Sequence, residues 1–314
     1  MMAFVFPGQG SQYVGMGQDF YKEFPVAKRT FEESSEVIGL DMAKLCFEAK
    51  SGDLRLTANT QPAILTVSVA AWRVLDEETG ISANFLAGHS LGEYSALVAS
   101  GGLDFKDAVM VARRRGEYMQ NAVPDGKGAM AAIIGLSKEE IAEACIMASQ
   151  DGQIASPANF NAPGQVVISG NKEAVEKACN LARSNGAKRV IPLEVSAPFH
   201  CALMNSAAER LEEVLNQVSI SELQTPVVSN FNAKPNRDSS KVKELLVKQV
   251  ANPVRWDESV NILSESGVKE YVEIGPGNVL SGLIRRTVSN ASVLNFEKTE
   301  QLNSFKRRWN LKIE

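Results

Sequence analysis

Phe85-Leu86-Ala87-Gly88-His89-Ser90-Leu91-Gly92-Glu93 runs from a short apolar segment through Gly-x-Ser-x-Gly into a helical pattern at Glu93 to Ser100. Strand, tight turn and helix in that order form a unit of α/β architecture, and the glycines at 88 and 92 allow a turn sharp enough to lift the Ser90 hydroxyl clear of a sheet. The same alternation continues on both sides. Ala3 to Phe6 reads as a strand and Gln61 to Asp76 as a helix; farther on come helical patterns at Asp104–Val123, Ala202–Val218 and Lys241–Val250. Pro226–Asn230 reads as a strand, and Glu270–Ile274 as a strand ending in Gly275-Pro276-Gly277. That rhythm indicates a layered α/β sheet.

From Gly128 the texture changes to strand Ala129–Ile134, helix Lys138–Ser149, strands Ile154–Asn159 and Val166–Ser169, helix Lys172–Asn185 and strand Arg189–Val195. This β-α-β-β-α-β order is the split βαβ, ferredoxin-like unit. It predicts a small insertion at residues 125–195 between two parts of one large α/β layer, 1–124 and 196–314. At 314 residues, the chain exceeds the usual size of one compact core, which suits that division.

Hydrophobic residues at 44% and charged residues at 22% suit a globular chain and argue against disorder or a fibre. With 33 Lys plus Arg against 37 Asp plus Glu, the formal charge is −4, which gives no general attraction to nucleic acid or an anionic membrane. The four cysteines, Cys46, Cys145, Cys179 and Cys201, are scattered and show no C-x-x-C spacing, pointing to a reduced, cytoplasmic setting. The N-terminal apolar run meets Pro7-Gly8 before a signal-peptide core forms, and no eighteen apolar residues run together, so neither export nor membrane spanning is expected.

A serine attacks poorly unless a base removes its proton. The chain has two histidines, His89 and His200. His89 adjoins Ser90, and neighbouring side chains diverge in a tight elbow, so His200 is the candidate base by elimination. It precedes the Ala202–Val218 pattern, and a place near that helix N-terminus would keep the ring neutral. No Asp or Glu completes a triad by motif, which leaves a dyad with an amide or carbonyl orienting the imidazole equally open. The Leu91 amide, at the start of the helix after the elbow, is placed to donate to a developing oxyanion.

In 104–123, Arg115 shares a face with Ala108, Val111, Ala112, Met119 and Ala122, while Arg113 and Arg114 point toward Lys106, Asp107 and Glu117. An arginine on an apolar stripe suits a carboxylate partner, although a snorkelling side chain or an internal ion pair gives the same pattern. Phe6-Pro7-Gly8-Gln9-Gly10-Ser11-Gln12 lacks the third glycine of a dinucleotide fingerprint, and Gly10 to Gly15 has P-loop spacing but Met16 in place of lysine. What remains there is a strand-end loop able to bring Gln9 or a backbone amide close to a ligand. No His/Cys/Asp/Glu cluster has metal spacing, so no metal is expected.

Together, Phe6 to Gln12, Thr60-Gln61-Pro62-Ala63, Gly88 to Tyr94, Arg115-Gly116, Ala197-Pro198-Phe199-His200, Gln249 before Asn252-Pro253-Val254-Arg255-Trp256, and Glu273 to Gly277 resemble the malonyl-CoA:acyl carrier protein transacylases, within the wider acyltransferase domains of fatty-acid and polyketide synthases. The resemblance runs to about residue 285. It implies a hydrolase-like α/β large domain with a ferredoxin-like insertion. It also implies Ser90 as nucleophile, His200 as base, Arg115 as partner of the malonyl carboxylate, and Gln9 with the Leu91 amide as oxyanion hole. By the same resemblance Gln249 orients His200, Gln61 and Met119 line the pocket, and Leu91 with Phe199 fits malonyl selectivity. Cys201 stands where many relatives carry a small hydroxyl residue. The implied substrate is malonyl-CoA and the implied partner an acyl carrier protein bearing phosphopantetheine, with no permanently bound cofactor.

Two other readings use the same residues: a cytoplasmic serine hydrolase or thioesterase with water as acceptor, and a noncatalytic carrier-protein binding module. An acidic carrier would meet basic residues near the cleft, for which Arg183, Lys188 and Arg189, or Arg285 and Arg286, are candidates.

Overall fold

The computed structural model of the chain describes residues 1–50, 52–195 and 197–311; Ser196, the expected start of the returning layer, lies outside the described residues. The strands are β1 (Met2–Phe6), β2 (Phe85–Gly88), β3 (Gly128–Ile134), β4 (Ala155–Ala162), β5 (Gln165–Asn171), β6 (Arg189–Pro192), β7 (Val227–Val228), β8 (Pro235–Asn236), β9 (Val254–Arg255), β10 (Glu270–Ile274) and β11 (Ser292–Phe296). The larger sheet has the order β11-β10-β1-β2-β7-β8, parallel from β11 to β7, with β8 turned back antiparallel on β7. A strand covered on both faces must be apolar throughout, and all of β1 is buried. Phe4 and Phe6 pack into one core and Ala3 and Val5 into another, as the two-residue period of a strand requires.

Parallel pairing gathers the C-terminal ends of the strands at one edge. Phe6 lies level with Gly88, and Ala87 with Val228. The loops that follow, Pro7-Gly8-Gln9, His89-Ser90 and Ser229-Asn230, leave from that same edge, where open α/β sheets bind ligands.

The second sheet has the order β6-β3-β5-β4-β9. Within it β3 to β6 are antiparallel and lie fourth, first, third, second, the ferredoxin-like arrangement. Helices Lys138–Ala148 and Lys172–Ser184 bury Ile141, Cys145, Val175 and Cys179 with Ile133 and Ile168 of that sheet. β9 comes from beyond residue 195 and pairs parallel with β4, Val254 beside Asn159. Two residues carry no periodicity, so nothing in the sequence pattern announces this strand.

Two helices carry the remaining framework. Thr57–Thr79 starts four residues before the expected Gln61 and contains Pro62, which cannot donate to the Ala58 carbonyl one turn back. Arg113 Nη1 takes that carbonyl at 3.0 Å, so the helix continues through the proline. Phe105–Gln120 is capped by the Asp104 carboxylate, which accepts from the Lys106 and Asp107 amides. It crosses the first turn of Thr57–Thr79 at Gly116, where a Cβ would fall 2.6 Å from the Thr57 carbonyl oxygen. That close approach brings Arg115 against Gln61.

One expected helix divides. Ala202–Val218 is a 3₁₀ turn at Ala202–Met204 followed by a helix over Asn205–Leu215. Pro226–Asn230 shortens to Val227–Val228, which leaves Asn230 in the loop beyond the strand. The chain closes with helix Val279–Thr287, edge strand β11 and helix Leu302–Arg308, whose Lys306 pairs with Glu78 at 2.7 Å.

Candidate active site

Ser90 sits between β2 and helix Gly92–Ala99 at φ +51°, in the left-handed region that non-glycine residues avoid at a cost of about 1–3 kcal/mol. The flanking glycines impose it. A Cβ on Gly88 would lie 1.9 Å from the Gly92 carbonyl carbon, and one on Gly92 would lie 2.0 Å from the Phe6 oxygen, so strand and helix close up only without side chains. Asn230 straps the turn: its Oδ1 accepts from the Ser90 amide at 2.6 Å and its Nδ2 donates to the Gly88 carbonyl at 2.7 Å.

His200 is buried, at φ +59°, with Nε2 2.7 Å from Ser90 Oγ. Its Nδ1 lies 2.9 Å from the main-chain carbonyl of Gln249. A carbonyl only accepts, so Nδ1 carries the proton and the Nε2 lone pair faces the serine hydroxyl. Burial, and after it the charge of Arg115, press the imidazole down to about 3. This corrects the expected cause of its neutrality: the 3₁₀ turn separates His200 from helix Asn205–Leu215, and low polarity with a neighbouring cation replaces the helix dipole. Among the described residues no acid meets the ring. The Gln249 backbone holds it, while the Gln249 side chain turns elsewhere.

That side chain belongs to Arg115. Oε1 of Gln249 accepts from Arg115 Nη2 at 2.9 Å, and Gln249 Nε2 donates to the Ser90 carbonyl at 3.0 Å and to Glu93 Oε2 at 2.7 Å. Arg115 is 1% exposed, donates from Nη1 to Gln61 Oε1 at 2.9 Å and from Nη2 to Ser90 Oγ at 3.0 Å, and lies over the Tyr94 ring. These partners are neutral, and among the described residues no carboxylate forms an ion pair with it. A buried guanidinium held by neutral partners keeps its charge uncompensated, and its fork matches the geometry of a carboxylate. Arg113 and Arg114 instead pair with Glu117 at 2.8 and 3.0 Å, so the helical angle separates the three arginines as expected.

Around these groups lies a cavity of about 100 Å³. Gln9, Gln61, Leu91, Arg115, Met119 and Phe199 line it together with Ser90 and His200. Of the expected site residues, only Gln249 lies outside the lining; it sits fully buried behind it. The Leu91 amide opens the helix beside Ser90, and the Gln9 side-chain amide lies 3.4 Å from Thr57 Oγ1. A larger cleft of about 460 Å³ shares Gln9, His89, Asn159, Leu193 and Val195 with the cavity and leads to it from outside. Gln165 lines that cleft and accepts from Arg286 at 2.5 Å, which sets one of the candidate docking arginines near its rim.

Two residues of the site escape sequence reasoning. Asn230 reads as the end of a strand. Glu93 is 3% exposed, and its Oε2 accepts from the Asn230 amide at 3.0 Å as well as from Gln249; burial lifts its carboxyl to about 7 against the lowering pull of these donors and of Arg115. Its signal is compositional: one carboxylate in the otherwise uncharged helix Gly92–Ala99. Cys201, beside His200, is buried with Sγ 3.1 Å from the Pro198 carbonyl, and all four cysteines are free. Among the described residues, no three His, Cys, Asp or Glu side chains gather as a metal site, and no helix is long and apolar enough to cross a membrane.

Known proteins are similar to this chain over nearly its whole length. The acyl transferase domain family matches residues 3–310. The malonyl CoA-acyl carrier protein transacylase of Bacillus subtilis is 50% identical over 285 residues, covering 91% of this chain and 90% of that protein. The crystal structure of an acyl carrier protein S-malonyltransferase from Vibrio cholerae superposes with a TM-score of 0.94 at 48% identity, covering 97% of this chain and 99% of the other. A malonyl-transacylase solved in complex with its type II polyketide synthase acyl carrier protein gives a TM-score of 0.95 at 48% identity, covering 98% and 99%. A match of that length, joined to relatives half identical over nine-tenths of their length, means that the chain belongs to the acyl transferase domain family.

Proposed function

We propose that the protein transfers a malonyl group from malonyl-CoA to the phosphopantetheine thiol of an acyl carrier protein through a malonyl ester on Ser90, in the cytoplasm and in supply of fatty-acid synthesis. The observation that carries this reading is a buried guanidinium, without a carboxylate ion-pair partner among the described residues, 3.0 Å from a serine oxygen that is itself 2.7 Å from a neutral imidazole. One group activates a hydroxyl for acyl transfer; the other recognises an acyl chain that ends in a carboxylate. The names of the relatives supply the donor and the acceptor.

His200 Nε2 takes the Ser90 proton as Oγ attacks the thioester carbonyl, and the oxyanion meets Gln9 and the Leu91 amide. The C–S bond breaks, and the proton on Nε2 passes to the departing CoA sulfur. The carrier thiol then gives its proton to the same nitrogen, attacks the ester, and Ser90 Oγ leaves with that proton. Throughout, the malonyl carboxylate faces the Arg115 guanidinium, whose Nη2 otherwise donates to Ser90 Oγ. Phe199 crowds the acyl α-carbon, against which one extra methyl discriminates by about 1–3 kcal/mol.

Intact-mass measurement after incubation with malonyl-CoA tests the reading. The expected result is a malonyl adduct that S90A abolishes and that moves to added holo carrier protein. Release of free malonate in place of carrier acylation would mean a thioesterase. Absence of any adduct would mean a binding module.

A further inference from the structure

Glu93 takes no part in the transfer steps, yet it is a carboxylate held out of water, and such a group is costly unless hydrogen-bonded. Its Oε2 receives two donors from segments 137 and 156 positions away, the Asn230 amide and Gln249 Nε2. Each of these residues grips the reacting groups. Asn230 straps both sides of the elbow, at the Ser90 amide and the Gly88 carbonyl. Gln249 holds the His200 ring by its carbonyl and Arg115 by its side-chain oxygen.

The sense of the Gln249 amide follows from Glu93. Glu93 Oε2 already accepts from the Asn230 amide and so carries no proton of its own, which draws Nε2 toward it and leaves Oε1 for the guanidinium. The reversed amide would set NH₂ against Arg115 and a carbonyl against the carboxylate.

We propose that Glu93 is the positioning residue of this site: its carboxylate ties Asn230 to Gln249, so that the Ser90 elbow, the His200 ring and the Arg115 guanidinium converge on one point. The proposal rests on the roles given above to Ser90, His200 and Arg115.

Single-turnover acylation by malonyl-CoA and by acetyl-CoA, followed by intact mass on full-length protein whose folding is checked by thermal melting, tests it. Glu93→Ala loses both bonds, and Glu93→Asp keeps the charge while shortening the reach. Each is expected to slow malonyl acylation by about tenfold or more and to reduce the preference for malonyl over acetyl, because Arg115 is no longer pinned. Glu93→Gln keeps a carbonyl oxygen for both donors and is expected to stay within about threefold of the parent. Should E93A not fold, E93D carries the same expectation. Parent-like rates and preference in E93A or E93D would overturn the proposal. So would equal losses with both acyl donors, which a general structural defect produces, or a loss in E93Q as deep as in E93A. An adduct that persists in S90A would instead unseat the role of Ser90, whatever Glu93 does.

Discussion

Arg115→Ala removes the guanidinium that touches Ser90 Oγ, Gln61 and Gln249. Two charge-assisted hydrogen bonds to the substrate carboxylate are worth about 1.5–3 kcal/mol each, so losing both costs malonyl transfer about 3–6 kcal/mol. That is roughly a hundredfold to ten-thousandfold in kcat/KM. Acetyl-CoA has no carboxylate and loses only the support that Arg115 gives to Ser90 and Gln249, about one hydrogen bond or roughly tenfold. The ratio of malonyl to acetyl transfer, measured with a holo carrier protein as acceptor, is therefore expected to fall by about ten- to a thousandfold. His200 supplies a second readout. As the proposed base it must be neutral to act, so activity should be lost as pH falls through its pKa, about 3 in the parent. Arg115 is the second cause of that depression after burial, so its removal raises the pKa toward the ordinary 6.5 without reaching it. The acid limb of acetyl transfer should therefore move to higher pH in R115A. Equal losses for the two acyl donors with an unmoved limb would refute both the anchor role and the electrostatic coupling.

Asn230→Ala leaves the Ser90 amide and the Gly88 carbonyl without their strap; each orphaned group costs about 1–3 kcal/mol, and both the urea midpoint and the acylation rate should drop, whereas an unchanged rate would mean that the glycines alone hold the elbow. Gly116→Ala drives a Cβ against the Thr57 carbonyl at 2.6 Å, so the two helices must part; about 1–3 kcal/mol of stability and part of the malonyl preference should go, and an unaltered preference would detach Arg115 placement from this crossing. Glu93 has a folded pKa raised from 4.5 to about 7, so the folded state binds the extra proton between those values and this group's stabilising effect is lost as pH rises through them. The loss is on the order of 3 kcal/mol, and urea titrations of E93Q should lack that component between pH 5 and 7; a pH dependence identical to the parent's would contradict it.

Much of the architecture was legible because periodicity reports burial. β1 is apolar throughout because both of its faces are covered, and β3 and β5 are apolar along most of their length because one face meets helices Lys138–Ala148 and Lys172–Ser184 while the other, with Met130, Ala132 and Val167, joins the larger core. Elements set by distant partners were not legible. β9 exists only through its pairing with β4, and the break between Ala202–Met204 and Asn205–Leu215 lies inside one continuous amphipathic pattern. The first turn of Thr57–Thr79 hides behind Pro62, which leaves the Ala58 carbonyl to an arginine 55 positions from it.

The site divides along the same physical line. Ser90, His200 and Arg115 could be picked out because each offers a side-chain chemistry the chain supplies sparingly in that context: a serine on a glycine elbow, one spare imidazole, one arginine on an apolar stripe. The group that orients the imidazole could be named only through the family resemblance, because it is a main-chain carbonyl, and any residue at position 249 has one. What singles out glutamine there is its amide, which must accept from Arg115 at one end and donate to Glu93 at the other. Gln249→Glu separates the two functions. The main-chain carbonyl, and so the His200 hydrogen bond, stays, while a second carboxylate faces Glu93 and competes with the substrate for Arg115. Malonyl transfer should therefore fall much further than acetyl transfer in Q249E. Proportional losses would show that the side chain serves the histidine after all.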